Sequence, residues 1–456
     1  MSIEIRRDDW RTLRQQIVDG FASAIESGVL LPGERLPSTR TVAEGLKVSR
    51  GVVLLAYELL MARGYITGKE GSGTFVARRV QARQAPSADP VAPAATVDLV
   101  PGRCVMRGFP LVTWRSAWRQ ASHSPPRHTA PNLGLPGLRQ AIRRRVEFTR
   151  GHPQGYQTAV CATLKDSLRV VLDALAPGAA VAVAQPMPLS LCRALAATGR
   201  PLLPFDAEDT ASPAVPEEAG AIVVLTESRY LTSRTASDAW RDGLTAWHHR
   251  TGGAVVEVNL DGATRPANAH IPSLLAHVPA PHAGLVGDFT ALLSTEMPLS
   301  YMVVPSSAAP LVESQIVIRD LRPTALHQQV LQRMLADGSV RRRAATLARL
   351  NEHAATLAGE AFAGTPYAAV SPPAFDGAFA VRLPAEIPAA RAVPPAKAAG
   401  VRVSTFAGHG FGPPRDNGLV LHVNHLDDDD ARAALHTVAG VCRDLARVAG
   451  TAAPAA

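Results

Sequence analysis

The sequence is poor in lysine. Only four of its 47 basic residues are lysines, Lys47, Lys69, Lys165 and Lys397, and arginine cannot replace lysine in forming an imine with a carbonyl compound. Cysteine is as scarce. Cys104, Cys161, Cys192 and Cys442 lie far apart, with no CxxC and no paired histidine spacing, which argues against a zinc site and a disulfide framework and for reduced, mostly buried thiols. No 18 apolar residues run together without a charge or breaker, and the opening MSIEIRRDDW lacks the apolar stretch of a secretory leader. A soluble, cytoplasmic chain without a membrane partner is expected. Charge is not concentrated either: residues 1–80 hold 12 Lys+Arg against 9 Asp+Glu, and the remainder 35 against 30. The formal net charge of +8 permits an acidic partner such as nucleic acid without requiring one.

What is present is length and apolar material. At 456 residues and 46% hydrophobic content, two or three domains are expected. Near the start, Trp10, Leu13, Ile17, Phe21, Ala24 and Ile25 recur at helical spacing, and Gly28 ends the run. LPGERLPS reads as a turn, after which Ser38 can cap a short helix to about Gly45. Ser49 can cap a third helix with Val53, Ala56, Leu59 and Leu60 on its core side as far as Gly64. YITGKEGSGTFVA then reads as two short strands around a glycine-bearing turn. Three helices and a hairpin describe a winged helix-turn-helix or a generic small helical domain.

The wording LPSTR, VSR, AYE and GSGTFV resembles the DNA-binding domain of the GntR family of transcription regulators over residues 5 to 77. The resemblance implies a double-stranded DNA operator as partner, read by Arg35, Ser38, Thr39, Arg40, Ser49, Arg50 and Gly51, with Lys69, Ser72 and Gly73 in the wing. In such a domain the first turn of helix three enters the major groove, so Arg50 is the expected base reader, bidentate to a guanine. Helix-start N–H groups near Ser38 and Ser49 can take phosphate oxygens. Gly51 and Val52 depart from the polar pair that relatives carry after Ser-Arg, which puts the operator sequence rather than DNA binding in question.

Residues 79–96 are rich in Ala, Pro and Gln and without periodicity, as in an extended spacer. Beyond them, from about residue 131, helical segments alternate with short buried strands such as AAVAVAQP, AGAIVVLTES, GAVVEVN and LSYMVVP. That alternation predicts an α/β domain with a mostly parallel sheet, followed by an α+β end. The expected division is a reader at 1–78, a linker at 79–96 and a second domain at 97–456, its large part at about 130–310 and its small part at 311–456.

This order resembles the MocR branch of GntR regulators, in which the winged helix is fused to a domain with the fold of type I aminotransferases, enzymes that use pyridoxal phosphate (PLP). The landmarks are VDLVPG, FPLVTWRSAWR, LGLPGLRQAI, VVE and GDF. The resemblance places an imine lysine where Ala291 stands and a phosphate arginine where Pro298 stands. It matches the pyridine-nitrogen acid with Val258 and the ring-oxygen tyrosine with Leu260. The phosphate loop reads Cys161-Ala162-Thr163-Leu164-Lys165, without glycine. PLP chemistry needs the lysine, the acid and phosphate donors together, so no catalytic residue, no cofactor and no metal are expected. The domain is expected to dimerise, as a domain-swapped head-to-tail homodimer, and to sense a small effector in an apolar vestigial pocket, with Arg229, Asp261, Asp288 and His425 as polar anchors. The alternatives are a regulator that binds PLP non-covalently, and an aminotransferase rescued by Lys165.

Overall fold

The computed structural model describes residues 12–26, 30, 33–62, 65–69, 73–77, 97–125, 131–151, 154–206, 213–226, 230–231, 237–260, 273–365, 369–412, 414 and 416–450. The chain divides into two compact units, residues 1–92 and 93–456.

The first unit holds α1 (Leu13–Glu26), α2 (Thr39–Leu46), α3 (Arg50–Ala62) and the strands β1 (Ile66–Lys69) and β2 (Gly73–Val76). Ile17, Val18 and Phe21 of α1 meet Val53, Ala56, Tyr57 and Leu60 of α3 in one core, the 3-4 spacing of an apolar helix face. Ser38 caps α2 by accepting the Thr41 N–H (3.1 Å). Lys47 closes it in the left-handed region (φ 53°). The helix runs one residue past the expected Gly45. β1 and β2 pair antiparallel, Ile66 opposite Val76 and Lys69 opposite Gly73. The segment expected as a mere turn does more: Arg35 bridges Phe75, and the Leu36 N–H reaches the Thr74 carbonyl (2.8 Å). It is pinned to the wing by that bridge and bond.

The second unit opens with β3 (Val97–Asp98), α4 (Leu111–Ser122) and α5 (Pro136–Arg150). It continues through β4 (Tyr156–Cys161), α6 (Leu164–Leu175), β5 (Val181–Gln185), α7 (Leu189–Ala196), β6 (Leu202–Asp206), β7 (Ala221–Leu225), α8 (Asp238–Thr251), β8 (Ala254–Asn259), β9 (Ala283–Asp288) and β10 (Ser300–Pro305). These strands form a seven-stranded sheet in the order β4-β10-β9-β8-β7-β5-β6. Pairs from β6 to β9 are parallel, and β10 runs antiparallel to both its neighbours. β8 and β10 are buried along their whole length, as expected of a sheet covered on both faces. Alternate residues serve alternate layers. Val255, Leu285 and Val303 pack with α5 and α8 on one side; Val256, Val258, Val286 and Met302 pack with α6 and α7 on the other.

The chain then forms α9 (Ala309–Ile318), α10 (Ala325–Ala336) and α11 (Ser339–Phe362), with Gly338 (φ 76°) separating the last two. After them come β11 (Ala369–Val370), β12 (Phe379–Arg382), α12 (Val393–Ala398), β13 (Val401–Arg402), β14 (Ser404–Thr405), β15 (Gly418–Leu421) and α13 (Asp428–Ala449). A four-stranded sheet, β11-β12-β15-β14, backs onto the end of α11 and onto α13. The expected boundary at residue 311 is displaced. Val312 and Ile316 belong to the large sheet's core, as do Val330, Leu331 and Met334 on its other face. The small core begins with Ala354, halfway along α11, and takes in Leu99, because β3 pairs parallel with β13. α11 therefore spans both cores.

Candidate functional site

Two sites emerge, one in each unit. In the first, the outer face of α3 begins at Arg50, exposed at the first helical position. Among the described residues no acid pairs with it. Arg40 pairs with Glu44 (3.0 Å), both well exposed, a contact weak enough to be exchanged for a phosphate. Arg35 lies over the base of the wing: a β-carbon built on Gly73 would sit 3.0 Å from its Nε. Gly73 also has φ 109°, so the position needs glycine twice over. Gly51 is open, with nothing within 4 Å of a β-carbon there. Thr39 is half-buried, and Ser38 and Ser49 are exposed. Lys69 lies in β1, and Ser72 falls outside the described residues.

In the second unit, the strand ends of β8 and β9 open onto a cavity of about 370 Å³, at the carboxyl edge of a parallel sheet where ligand sites of open α/β folds collect. Leu260 follows β8, and Asp288 ends β9 with Thr290 and Ala291 beyond it; all four line the cavity. The small subdomain closes it with Phe375, Asp376 and Asn424. Arg343, buried in α11, donates to the carbonyls of Leu292 (3.0 Å), Arg107 (2.6 Å) and Val105. It thereby ties the 105–107 segment and the loop after Ala291 into one wall.

The electrostatics are modest. Burial pushes the Asp288 carboxyl up, against the opposing Thr290 N–H that it accepts. No cation among the described residues pairs with Asp288. Burial likewise raises the Cys104 thiol, which donates to the Thr290 carbonyl (3.6 Å) and stays protonated. Arg103 on the rim is engaged by Asp98 (2.6 Å). Asn424 donates to Asn351 (2.6 Å), so these two satisfy each other.

Several expected positions land elsewhere. Ala291 is exposed to the cavity, but Val258 is fully buried toward α6 and α7 and does not line it. Both side chains face the same layer, as residues two apart on a strand must, but Val258 lies within β8 under the helices while Leu260, past the strand end, reaches the pocket. Pro298 is exposed and lies outside the cavity wall. His425 is replaced in the wall by its neighbour Asn424. Arg229 and Asp261 fall outside the described residues. Lys165, the lysine of the rescued-aminotransferase alternative, is half exposed on the rim, 3.8 Å from Asp166.

At the loop matched to a phosphate cradle, the start of α6 is already occupied. Thr163 donates to the Asp166 carboxylate (2.6 Å) and accepts the Asp166 N–H (3.2 Å). An acid thus sits where the helix dipole would otherwise favour an anion. Sequence reasoning missed this device, although Thr163 and Asp166 stand three residues apart in the pattern of a capping pair.

Residues 13–76 match the family of bacterial regulatory proteins, gntR family. Over 431 residues the chain is 27% identical to the HTH-type pyridoxine biosynthesis transcriptional regulator PdxR of Corynebacterium glutamicum, covering 92% of this chain and 94% of that protein. It is 41% identical over 71 residues to the probable rhizopine catabolism regulatory protein MocR of Rhizobium meliloti, 16% of this chain and 14% of that one. In structure it is similar to the multiple substrate aminotransferase of Thermococcus profundus (TM-score 0.67, 14% identity, 78% of this chain and 94% of that one). The kynurenine aminotransferase of Pyrococcus horikoshii is equally similar (TM-score 0.67, 16% identity, 77% and 91%). The chain is accordingly a DNA-binding transcription regulator of GntR type with an aminotransferase-like domain. Along nearly its whole length it is similar to one such regulator, and over 71 residues to the relative named MocR. Among the described residues no helix is long and apolar enough to cross a membrane, and no cluster of His, Cys, Asp and Glu could hold a metal.

Proposed function

We propose that the chain binds a double-stranded DNA operator through α2, α3 and the wing, as a domain-swapped, head-to-tail homodimer. Its second unit is catalytically inactive and carries the dimer contact and a small-molecule sensor. The reader occupies residues 1–78, the linker 79–96 and the sensor 97–456. The observation that carries this reading is Ala291, a methyl group facing the cavity where covalent PLP would require lysine. Asp166 at the start of α6 adds to it, since a phosphate there would meet a carboxylate. The residues present do not fit covalently held PLP, and no catalytic step is derived through it.

Leu260, Ala291, Val105 and Phe375 give the cavity an apolar body, which suits a carbon-rich effector rather than a phosphate ester. Such an effector regulates only if it binds the DNA-competent and incompetent states with different affinity. Capturing genomic fragments on the full-length protein and sequencing them is the test. Recovery of a recurrent two-fold-related site is expected, and random recovery would refute operator binding.

A second reading is a regulator that binds PLP without a covalent link. The similarity to a relative named for pyridoxine biosynthesis favours it. Calorimetry with PLP decides: binding that survives Lys165→Ala supports this reading, and visible absorbance removed by borohydride would support the enzyme instead.

A further inference from the structure

The outer face of α3 is unusually greasy for a helix offered to DNA. Val53, Ala56, Tyr57 and Leu60 bury one side of it. At 100° per residue the opposite side carries Gly51, Leu54, Leu55 and Glu58. Leu54 and Leu55 are each 49% exposed, in the second turn, directly behind the exposed Arg50. About half of each side chain is thus open to a partner. Gly51 leaves open space between them and the helix start. Bulk at that position would hold the backbone off a groove floor. Glu58, exposed one turn further on, would be repelled by phosphates and so limits insertion to the first turn and a half. The patch is therefore small, apolar and bounded by a cation on one end and an acid on the other.

In a major groove one feature rewards such a patch, the C5 methyl of thymine. We propose that Leu54 and Leu55 are specificity-determining residues that read thymine methyls beside the base held by Arg50. This rests on the DNA-binding reading above and deepens it. The register follows from geometry. Leu54 stands four residues from Arg50, about 6 Å along the helix axis, or roughly two base steps at about 3.4 Å per step. The half-site then carries a thymine about two steps from the guanine contacted by Arg50.

The test uses an operator recovered with the full-length protein, with each thymine replaced in turn by deoxyuracil. That change removes the methyl and leaves Watson–Crick pairing intact. One or two uracil positions near the Arg50 contact should weaken binding about fourfold each, the equivalent of one buried methyl-sized group. In the L54A/L55A variant binding is weaker throughout and uracil at those positions makes no difference. Both leucines are exposed and alanine favours helix, so the variant keeps its fold. An operator bound equally well with uracil at every position overturns the proposal. So does an uracil response that persists in L54A/L55A, or a change of oligomer size in that variant with the response intact, which would assign the leucines to a second copy. Failure to recover any operator is a different result: it refutes DNA binding itself.

Discussion

Glu257 is the sharpest test of how the second unit holds together. It lies in the middle of β8 with no exposure, and pairs with Arg150, itself 1% exposed, at the end of α5. One carboxylate oxygen also accepts the Thr226 hydroxyl; the other accepts the Ser273 hydroxyl (2.5 Å) and the Leu274 N–H (2.9 Å). Glu257→Gln keeps the shape and removes the charge. The amide nitrogen cannot accept, so either the Arg150 and Thr226 side or the Ser273 and Leu274 side loses its acceptor. The Arg150 charge stays buried without its counter-charge. Breaking a buried pair in this way costs about 3–5 kcal/mol, a large share of the roughly 5–15 kcal/mol that holds a domain folded. Trp240 and Trp247 are buried in the same layer, so urea unfolding followed by tryptophan fluorescence reports on this region. A loss of that size moves the midpoint by about 1 M or more, for a slope near 3 kcal/mol per molar. Replacing both partners together, in R150M/E257L, should recover only part of the loss: no orphan charge remains, but Thr226, Ser273 and the Leu274 N–H still lose their acceptor. A single variant that loses less than about 1 kcal/mol, or a double variant as unstable as the two singles added, would refute the argument.

Other outcomes follow from the same physics. Arg50→Ala should cost about 1–3 kcal/mol of specific binding and relax one base preference, measured by footprinting and titration; unchanged affinity would remove Arg50 from the base contacts. Gly73→Ala forces a side chain at φ 109° and against the Arg35 guanidinium, so a loss of about 1–3 kcal/mol in reader stability is expected, with weaker DNA binding as Arg35 is displaced. His422 is fully buried beside His425, and neither of its ring nitrogens has a partner among the described residues. Burial, helped by His425 and Arg103, holds its pKa down at about 3. The unfolded chain, with histidine near 6.5, therefore binds the extra proton, and stability is full above about pH 6.5 and falls toward pH 3. The slope from this group is at most about 1.4 kcal/mol per pH unit, and His422→Leu should flatten it in acid unfolding scans.

The reader was almost wholly legible. Its helices, Ser38 cap and hairpin follow from period, cap and turn residues, which act over three or four neighbours. What escaped was the bridge at Arg35, because its partner Phe75 lies 40 residues on and no local pattern announces it. In the second unit the strands of continuous apolar residues were legible, whereas β4 and β6 were not: Gln157 interrupts one and Pro204 the other. The boundary of the small subdomain was missed because the periodicity of α11 gives no sign that its two halves serve different cores.

The sequence by itself determined what chemistry is absent. Of the four lysines, none lies within the loop at 287–301, so that loop supplies no imine-forming side chain of its own. The spacing of Val53, Ala56, Leu59 and Leu60 likewise fixes which face of the third helix is core. Only tertiary structure decided which of the altered positions share a cavity. Ala291 and Leu260 do, while Val258 and Pro298 do not. Distance from the strand end and loop path, set by packing against distant helices, determine which side chains reach the cavity. Only the fold, too, brought Arg343 across from α11 to fasten one wall of the cavity.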